Sequence, residues 1–377
     1  MSEPPSSLCA LSPELFPLVA ENLPLHARPS SLHSLLLTNR YLYYTIYPVL
    51  CSCIILRNVR DAVDVLHKIL SNSDFSGRVE QLHIMSELFF YTGPSEDPTF
   101  LIDVFRQAVS TGSLLRLKTL SLCMQNPRRA IYASKALRLH QFDDHFWNDL
   151  TTNCPRLRSV TIEDSYDFDF VFSQLPTLQS QALSRLALNN IDMSSSSLLS
   201  LEFPALKSLS ISLVFLEHTS EAMTFWRRHP LLECLELYFA TGSAWFDDSI
   251  ARENPLPNLR YLRVDFFAAR GLAPILPQFI GLSVHNIVEA QVPYFLQEIS
   301  KNPLPHLKSL EIFLTEAGFG VFNENGAAEH FGVQYFEGFI PSIALASPGL
   351  EELVLHGKAY EPSVVHSTLA KYFSSTG

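Results

Sequence analysis

The chain is short of most features that announce chemistry. Charge is sparse, 17% of 377 residues, and the balance is acidic, −11 at pH 7. An acidic body repels phosphate backbones, which argues against nucleic-acid binding. Cysteines are few, at 9, 51, 53, 123, 154 and 234, and none forms a CxxC pair. Scattered thiols fit a reducing compartment, cytoplasmic or nuclear, where cysteine acts as a small core residue. Long apolar runs are missing too. The most apolar window, Tyr41 to Leu56, has 16 residues with a proline inside, too short and too broken for a membrane span. The opening "MSEPPSSLCA" has neither the basic start nor the apolar stretch of a signal peptide.

Catalytic signatures are equally scarce. Neither G-x-S-x-G nor H-E-x-x-H occurs. His140 and His145 flank Asp143 and Asp144, but two carboxylates there read as a helix start. "EDSYDFD" (163–169) has oxygens of the kind calcium takes, without the glycine turn and terminal glutamate of a calcium loop. "GFGVFNENG" (318–326) has no lysine and no strand-to-helix setting for a phosphate, and reads as a long loop. The expectation is a protein that is not an enzyme and holds no cofactor or metal.

What the chain does have is apolar surface, 47% of its residues, enough for a large core. It also has a recurring phrase, x-P-x-L-x-x-L-x-L. The copies are "CPRLRSVTI" from Cys154, "FPALKSLSI" from Phe203, "HPLLECLEL" from His229, "LPNLRYLRV" from Leu256, "LPQFIGLSV" from Leu276, "LPHLKSLEI" from Leu304 and "SPGLEELVL" from Ser347. Three more lack the proline: "SGRVEQLHI" from Ser76, "LLRLKTLSL" from Leu114 and "SQALSRLAL" from Ser180. Any position is proline about 6% of the time in this composition, yet seven of ten phrases carry one at the same offset, so the repeat is not an accident of composition.

The L-x-L alternation places two side chains on one face of a short strand. The preceding proline ends whatever helix came before. Helical stripes fit between the phrases, as in Thr99 to Gly112, with apolar residues at 101, 104, 105 and 108 and a terminal glycine. Arg227, Arg228, His229 and Pro230 likewise give a basic last turn followed by a breaker. The first core positions fall at 79, 117, 157, 183, 206, 232, 259, 279, 307 and 350. Their spacing is shortest in the middle, with longer connections at both ends.

These phrases resemble leucine-rich repeats of a degenerate kind, since the asparagine after the last leucine is mostly absent. The resemblance implies an α/β solenoid, a horseshoe of about ten repeats over 59–377, with strands on a concave face and helices or loops outside. Outward strand positions would then hold a protein partner: Glu236, Tyr238, Tyr261, Arg263, Asp265, Glu311, Phe313 and His356, together with Glu163 and Glu352. Tyr, Phe and Arg are usual interface anchors.

Residues 9–58 differ. Ser12-Pro13-Glu14 reads as a capped helix start. Leu15, Leu18, Val19 and Leu23 form an apolar face, and Pro24 stops it. Leu32, Leu35 and Leu36 begin a second stripe after "HARPS", which reads as a small insertion. Tyr41 to Tyr47 form an aromatic segment ended by Pro48. Leu11, Pro13, Glu14, Leu15, Leu23 and Pro24, then "TNRYLY" and "YPVLCSCIILRN", resemble an F-box. Together the two parts look like an F-box/leucine-rich-repeat protein of the fungal type. That resemblance implies a substrate-recognition subunit of a cullin-RING (SCF-type) ubiquitin ligase. The F-box residues Leu11, Pro13, Leu15, Leu18, Val19 and Leu23 would dock on a Skp-type adaptor, and the repeats would bind an unknown protein substrate. The alternative is a repeat scaffold with a helical cap and no adaptor. It requires Leu15, Leu18 and Val19 to be buried against the first repeat, around Val79 and Leu82.

Overall fold

The computed structural model describes residues 11–57, 59–85, 98–123, 142–163, 176–178, 182–189, 193–194, 198–212, 214–216, 219–238, 245–246, 253–287, 292–314 and 341–356. "GFGVFNENG", His140 and most of "EDSYDFD" lie outside them. The chain divides into two compact units, Met1–Leu183 and Ser184–Gly377.

In the first unit, three helices precede the sheet: α1 (Leu15–Asn22), α2 (Arg28–Leu36) and α3 (Arg40–Ser52). They share a core of Phe16, Ala20, Leu32, Leu36, Leu42 and Ile46. Asn39 caps α3, its side chain accepting from Leu42 N at 2.9 Å. Three local expectations are corrected. Glu14, not Ser12, is the residue before α1, and no side chain caps it; backbone turns from Ser12 and Pro13 open the helix. Only His26 and Ala27 of "HARPS" lie between the first two helices, because Arg28 and Pro29 start α2, where a proline's missing N–H has no partner to lose. Pro48 does not end α3, which runs on to Ser52 with Cys51 buried beyond the proline; burial of that last turn compensates the lost backbone bond.

Strands β1 (Cys53–Leu56), β2 (Gln81–Ile84), β3 (Thr119–Cys123) and β4 (Ser159–Glu163) then pair in parallel, in chain order. Between them lie α4 (Val59–Ser71), α5 (Pro98–Ser110) and α6 (Asp144–Asn153), with α4 packed on α5 and α5 on α6. Asp143 caps α6, accepting from Phe146 N at 3.1 Å, as its pair of carboxylates implied.

The second unit repeats the plan. Strands β5 (Arg185–Asn189), β6 (Ser208–Ser212), β7 (Cys234–Tyr238), β8 (Tyr261–Asp265), β9 (Gly281–Ile287), β10 (Ser309–Leu314) and β11 (Glu352–His356) are parallel neighbours in sequence order. Helices α7 (Thr219–Arg228), α8 (Phe266–Gly271) and α9 (Val292–Lys301) connect some of them. A strand, a turn and a helical or irregular return, repeated in parallel, make the fold an α/β leucine-rich-repeat solenoid. In nine of the ten phrases the strand pair is buried, as with Leu120 and Leu122 or Leu310 and Ile312, and each such side chain contributes about 1.5–3 kcal/mol; in the last phrase Leu353 and Leu355 are half-buried.

The proline has a more specific task than ending a helix. In nine of the ten phrases the carbonyl of the first residue accepts the N–H of the fourth, as in Cys154 to Leu157 at 3.0 Å and His229 to Leu232 at 3.2 Å. That is a β-turn, and in seven of the nine its second place is a proline, where a fixed φ is an advantage and an N–H is not needed. The first residue of the phrase is also buried: Ser76, Leu114, Cys154, Phe203, His229, Leu256, Leu276, Leu304 and Ser347. Each of these repeats therefore has a core position that the leucine pattern does not show.

One backbone contact recurs where the phrase enters its strand. The carbonyl of Glu80 accepts from both Lys118 and Thr119. Those of Lys118, Ser184, Lys207, Glu233, Arg260, Ile280 and Lys308 each take two N–H groups of the next repeat in the same way. Side chains at this position pair across repeats: Lys118 with Glu80 at 2.7 Å, Lys207 with Glu233 at 2.7 Å and Lys308 with Glu351 at 2.8 Å.

Candidate functional site

Two surfaces carry the residues singled out by the sequence. The first is α1. This eight-residue helix is apolar nearly all round, so only one stripe can face the packet. Phe16 and Ala20 take that place. Leu15, Leu18 and Val19 stay 41%, 54% and 41% exposed, with Pro13 exposed and Leu11 and Leu23 half-buried beside them. Leu37, Tyr41, Tyr43 and Tyr44 are exposed as well. The sequence did not mark these four, because a helical aromatic run gives no sign of which edge packs and Leu37 lies just past the end of α2.

The second surface is the solvent side of β7 to β11. Parallel register sets its rows. Glu236, Arg263, Ser283, Glu311 and Val354 are successive partners across five strands. Cys234, Tyr261, Gly281, Ser309 and Glu352 form the row before it. The structure thus brings Glu236, Tyr238, Tyr261, Arg263, Glu311, Phe313 and His356 onto one face.

Arg263 sits at the centre. Its Nε donates to His285 Nε2 at 2.7 Å, and its Nη2 bonds Glu311 Oε2 at 3.2 Å. The guanidinium lies over the rings of Tyr238 and Phe313, 5.4 and 5.6 Å from their centroids. Ser283 Oγ donates to Glu311 at 2.7 Å, and His356 Nε2 reaches its other oxygen at 3.1 Å. His285, Phe313 and His356 stack at successive centroid distances of 4.0 Å, with interplanar angles of 13° and 6°.

Electrostatics follow the geometry. Burial pushes His285 down to about 4, and the Arg263 charge adds to the effect, so near neutral pH its Nε2 is an acceptor for Arg263. Burial raises the Glu311 carboxyl, but the hydrogen bonds of Ser283 and His356 and the charge of Arg263 outweigh it and hold it below its ordinary value. Tyr238 is raised by burial and by the Glu236 carboxylate, to which its hydroxyl donates at 3.3 Å. His285 and Ser283 were missed in the sequence. They occupy outward positions of "LSVH", but their role depends on which residues stand opposite in the neighbouring repeats.

Asp265 is a correction. It was expected on the partner-binding face, but its carboxylate accepts from Ala268 N at 2.8 Å as the cap of α8. The strand passes into the helix without a loop, so the side chain is used locally and is buried; burial raises its carboxyl despite the N–H bonds.

Elsewhere, His83 Nδ1 lies 3.0 Å from Ser121 Oγ, while its buried Nε2 has no partner among the described residues. Among those residues no group of three or more His, Cys, Asp or Glu is placed to hold a metal, and no helix is long and apolar enough to cross a membrane.

No protein-family model matches the chain, and no curated protein matches it by sequence. Among solved structures it is similar to the Rad7 and Elc1 complex of yeast, at 12% identity and a TM-score of 0.49 over 95% of this chain and 85% of that one. It is also similar to LegL7, a leucine-rich repeat-containing protein from Legionella pneumophila, at 15% identity and 0.39 over 74% and 95%. Both overlays are loose, and the functional reading rests on this chain's own residues.

Proposed function

We propose that the chain is the substrate-recognition subunit of a cullin-RING (SCF-type) ubiquitin ligase, working in the cytoplasm or nucleus. The N-terminal helices bind a Skp-type adaptor and the repeats hold a protein substrate. The chain is not itself the enzyme. It raises the local concentration of a target lysine beside the ubiquitin carrier, so its contribution is proximity. One observation supports this over a capped scaffold: Leu15, Leu18 and Val19 are exposed, whereas a cap would bury them against the first repeat. An apolar stripe on a short helix is the form in which a helix enters a partner's groove.

The test is co-expression with a Skp-type adaptor, with Leu15→Asp plus Leu18→Asp as the control. Both changes fall on exposed positions, so the fold should survive them. Co-elution by the wild type and its loss in the control is the expected result. A folded wild-type chain that ignores an adaptor able to bind another F-box would return the capped scaffold.

A further inference from the structure

The array on β7 to β11 has one cation, Arg263, and that charge is matched by Glu311. Two carboxylates remain outside any ion pair among the described residues, although Arg263 stands opposite Glu236 in the register. Glu236 accepts only the Tyr238 phenol, and Glu352 only the Ser309 hydroxyl at 2.9 Å. The nearest other cation in the rows of this face is Arg185 on β5, two strands from β7. Beside Glu236 a cavity of about 260 Å³ opens, lined by Tyr261, Arg263, Gly281, Ser283 and Glu311 among others. Its floor is low because Gly281 has no side chain; a Cβ there would fall 2.8 Å from a ring carbon of Tyr261. That ring is 51% exposed and forms one wall.

We infer that the bound protein segment is basic and extended, and that it sets a lysine or arginine in the slot between Glu236 and Tyr261 and a second near Glu352. This rests on the reading of the repeats as the substrate-holding part and names the class of substrate. A cation in the slot gains both a carboxylate and an aromatic face. An apolar side chain would leave the carboxylates desolvated and unpaired, and an acidic one would meet like charge. Strands lie about 4.8 Å apart and residues rise about 3.3 Å along them, so Glu236 and Glu352, four strands and two residues from each other, are separated by about 20 Å. Roughly six residues of extended chain cover that distance. The bonded stack of His285, Phe313 and His356 fixes the side chains between the two points before anything binds, which lowers the ordering cost of association.

The experiment is selection of a fully randomised, displayed nonapeptide library on the immobilised full-length chain. It is run in parallel on Glu236→Gln/Glu352→Gln and Glu236→Lys/Glu352→Lys. Recovered peptides are then titrated by fluorescence anisotropy. The wild type should enrich peptides with two Lys or Arg residues five to seven apart, with affinity falling as salt rises. The Gln pair should weaken those peptides at least tenfold, and the Lys pair should select acidic peptides instead. A wild-type selection with no basic enrichment, or one that both variants reproduce, overturns the inference. Adaptor co-elution is measured on the same preparations. A chain that binds adaptor but selects no basic peptide fails here alone; one that selects basic peptides but binds no adaptor fails only the ligase reading.

Discussion

His229 allows a quantitative test of the repeat. It stands at the buried first position of its phrase, where other copies carry Leu, Phe, Cys or Ser, and it is fully buried. Its Nδ1 donates to Phe225 O in α7 at 2.8 Å, and its Nε2 accepts from Phe203 N at 3.1 Å. The ring thus bridges two repeats and must be neutral to do so. His229→Leu keeps comparable bulk and removes both bonds, leaving a carbonyl and an amide buried without partners. At about 1–3 kcal/mol for each orphaned group, the expected loss is about 4 kcal/mol. Urea unfolding followed by tryptophan fluorescence suits the site, since Trp226 and Trp245 lie 5.4 Å apart in the same unit. With a slope of about 2 kcal/mol/M, the midpoint should fall by about 2 M at unchanged slope. Acid gives a second readout. Burial depresses the folded His229 below its ordinary value of 6.5. Its stabilising contribution is therefore complete above pH 6.5 and is lost as pH falls toward the folded value. The gap between wild type and variant should narrow from pH 7.5 to pH 5. A loss below about 1 kcal/mol, or a gap that widens in acid, would refute the bridge.

Two further outcomes follow from single positions. Burial, aided by the charge of Arg28, lowers His83 from 6.5 to about 4. Between pH 7 and pH 5 the wild type should lose about 2 kcal/mol that His83→Gln keeps, read as diverging urea midpoints; parallel midpoints would place the ring in solvent. Gly112 follows α5 at φ +69°, and nothing lies within 4 Å of the place an added methyl would occupy, so Gly112→Ala should cost about 1 kcal/mol from backbone strain alone. A neutral result in thermal unfolding would show the turn relaxing to another conformation.

Much of the frame was legible because it is local. The leucine alternation located the strands from Val79 onward, and the helical stripe at 101, 104, 105 and 108 is buried in α5, apart from the backbone details at its ends. The role of the proline was not legible, since a breaker after a helix and the second residue of a turn look alike in sequence. The buried first position was hidden by its variety, from Cys154 to Phe203 to His229. For the site, strand parity gave the face but not the bonds. Arg263, Glu311 and His356 meet only through register between segments separated by connections of different length, and no pattern within one repeat encodes that. Asp265 shows the limit of parity, because a cap at the start of a helix overrules the outward alternation.

The doubly accepting carbonyl has a consequence for how such a chain lengthens in evolution. Every repeat that carries it offers its neighbour the same two-pronged socket, whether the side chain there is Glu80, Lys207 or Ile280. A duplicated or deleted unit therefore finds a matching edge on either side, and connections of unequal length can be inserted without redesigning the join. A lost or gained residue inside the phrase has no such tolerance, because it shifts both prongs and turns the leucines outward. Sequence drift should thus collect between the sockets while the nine-residue phrase keeps its length.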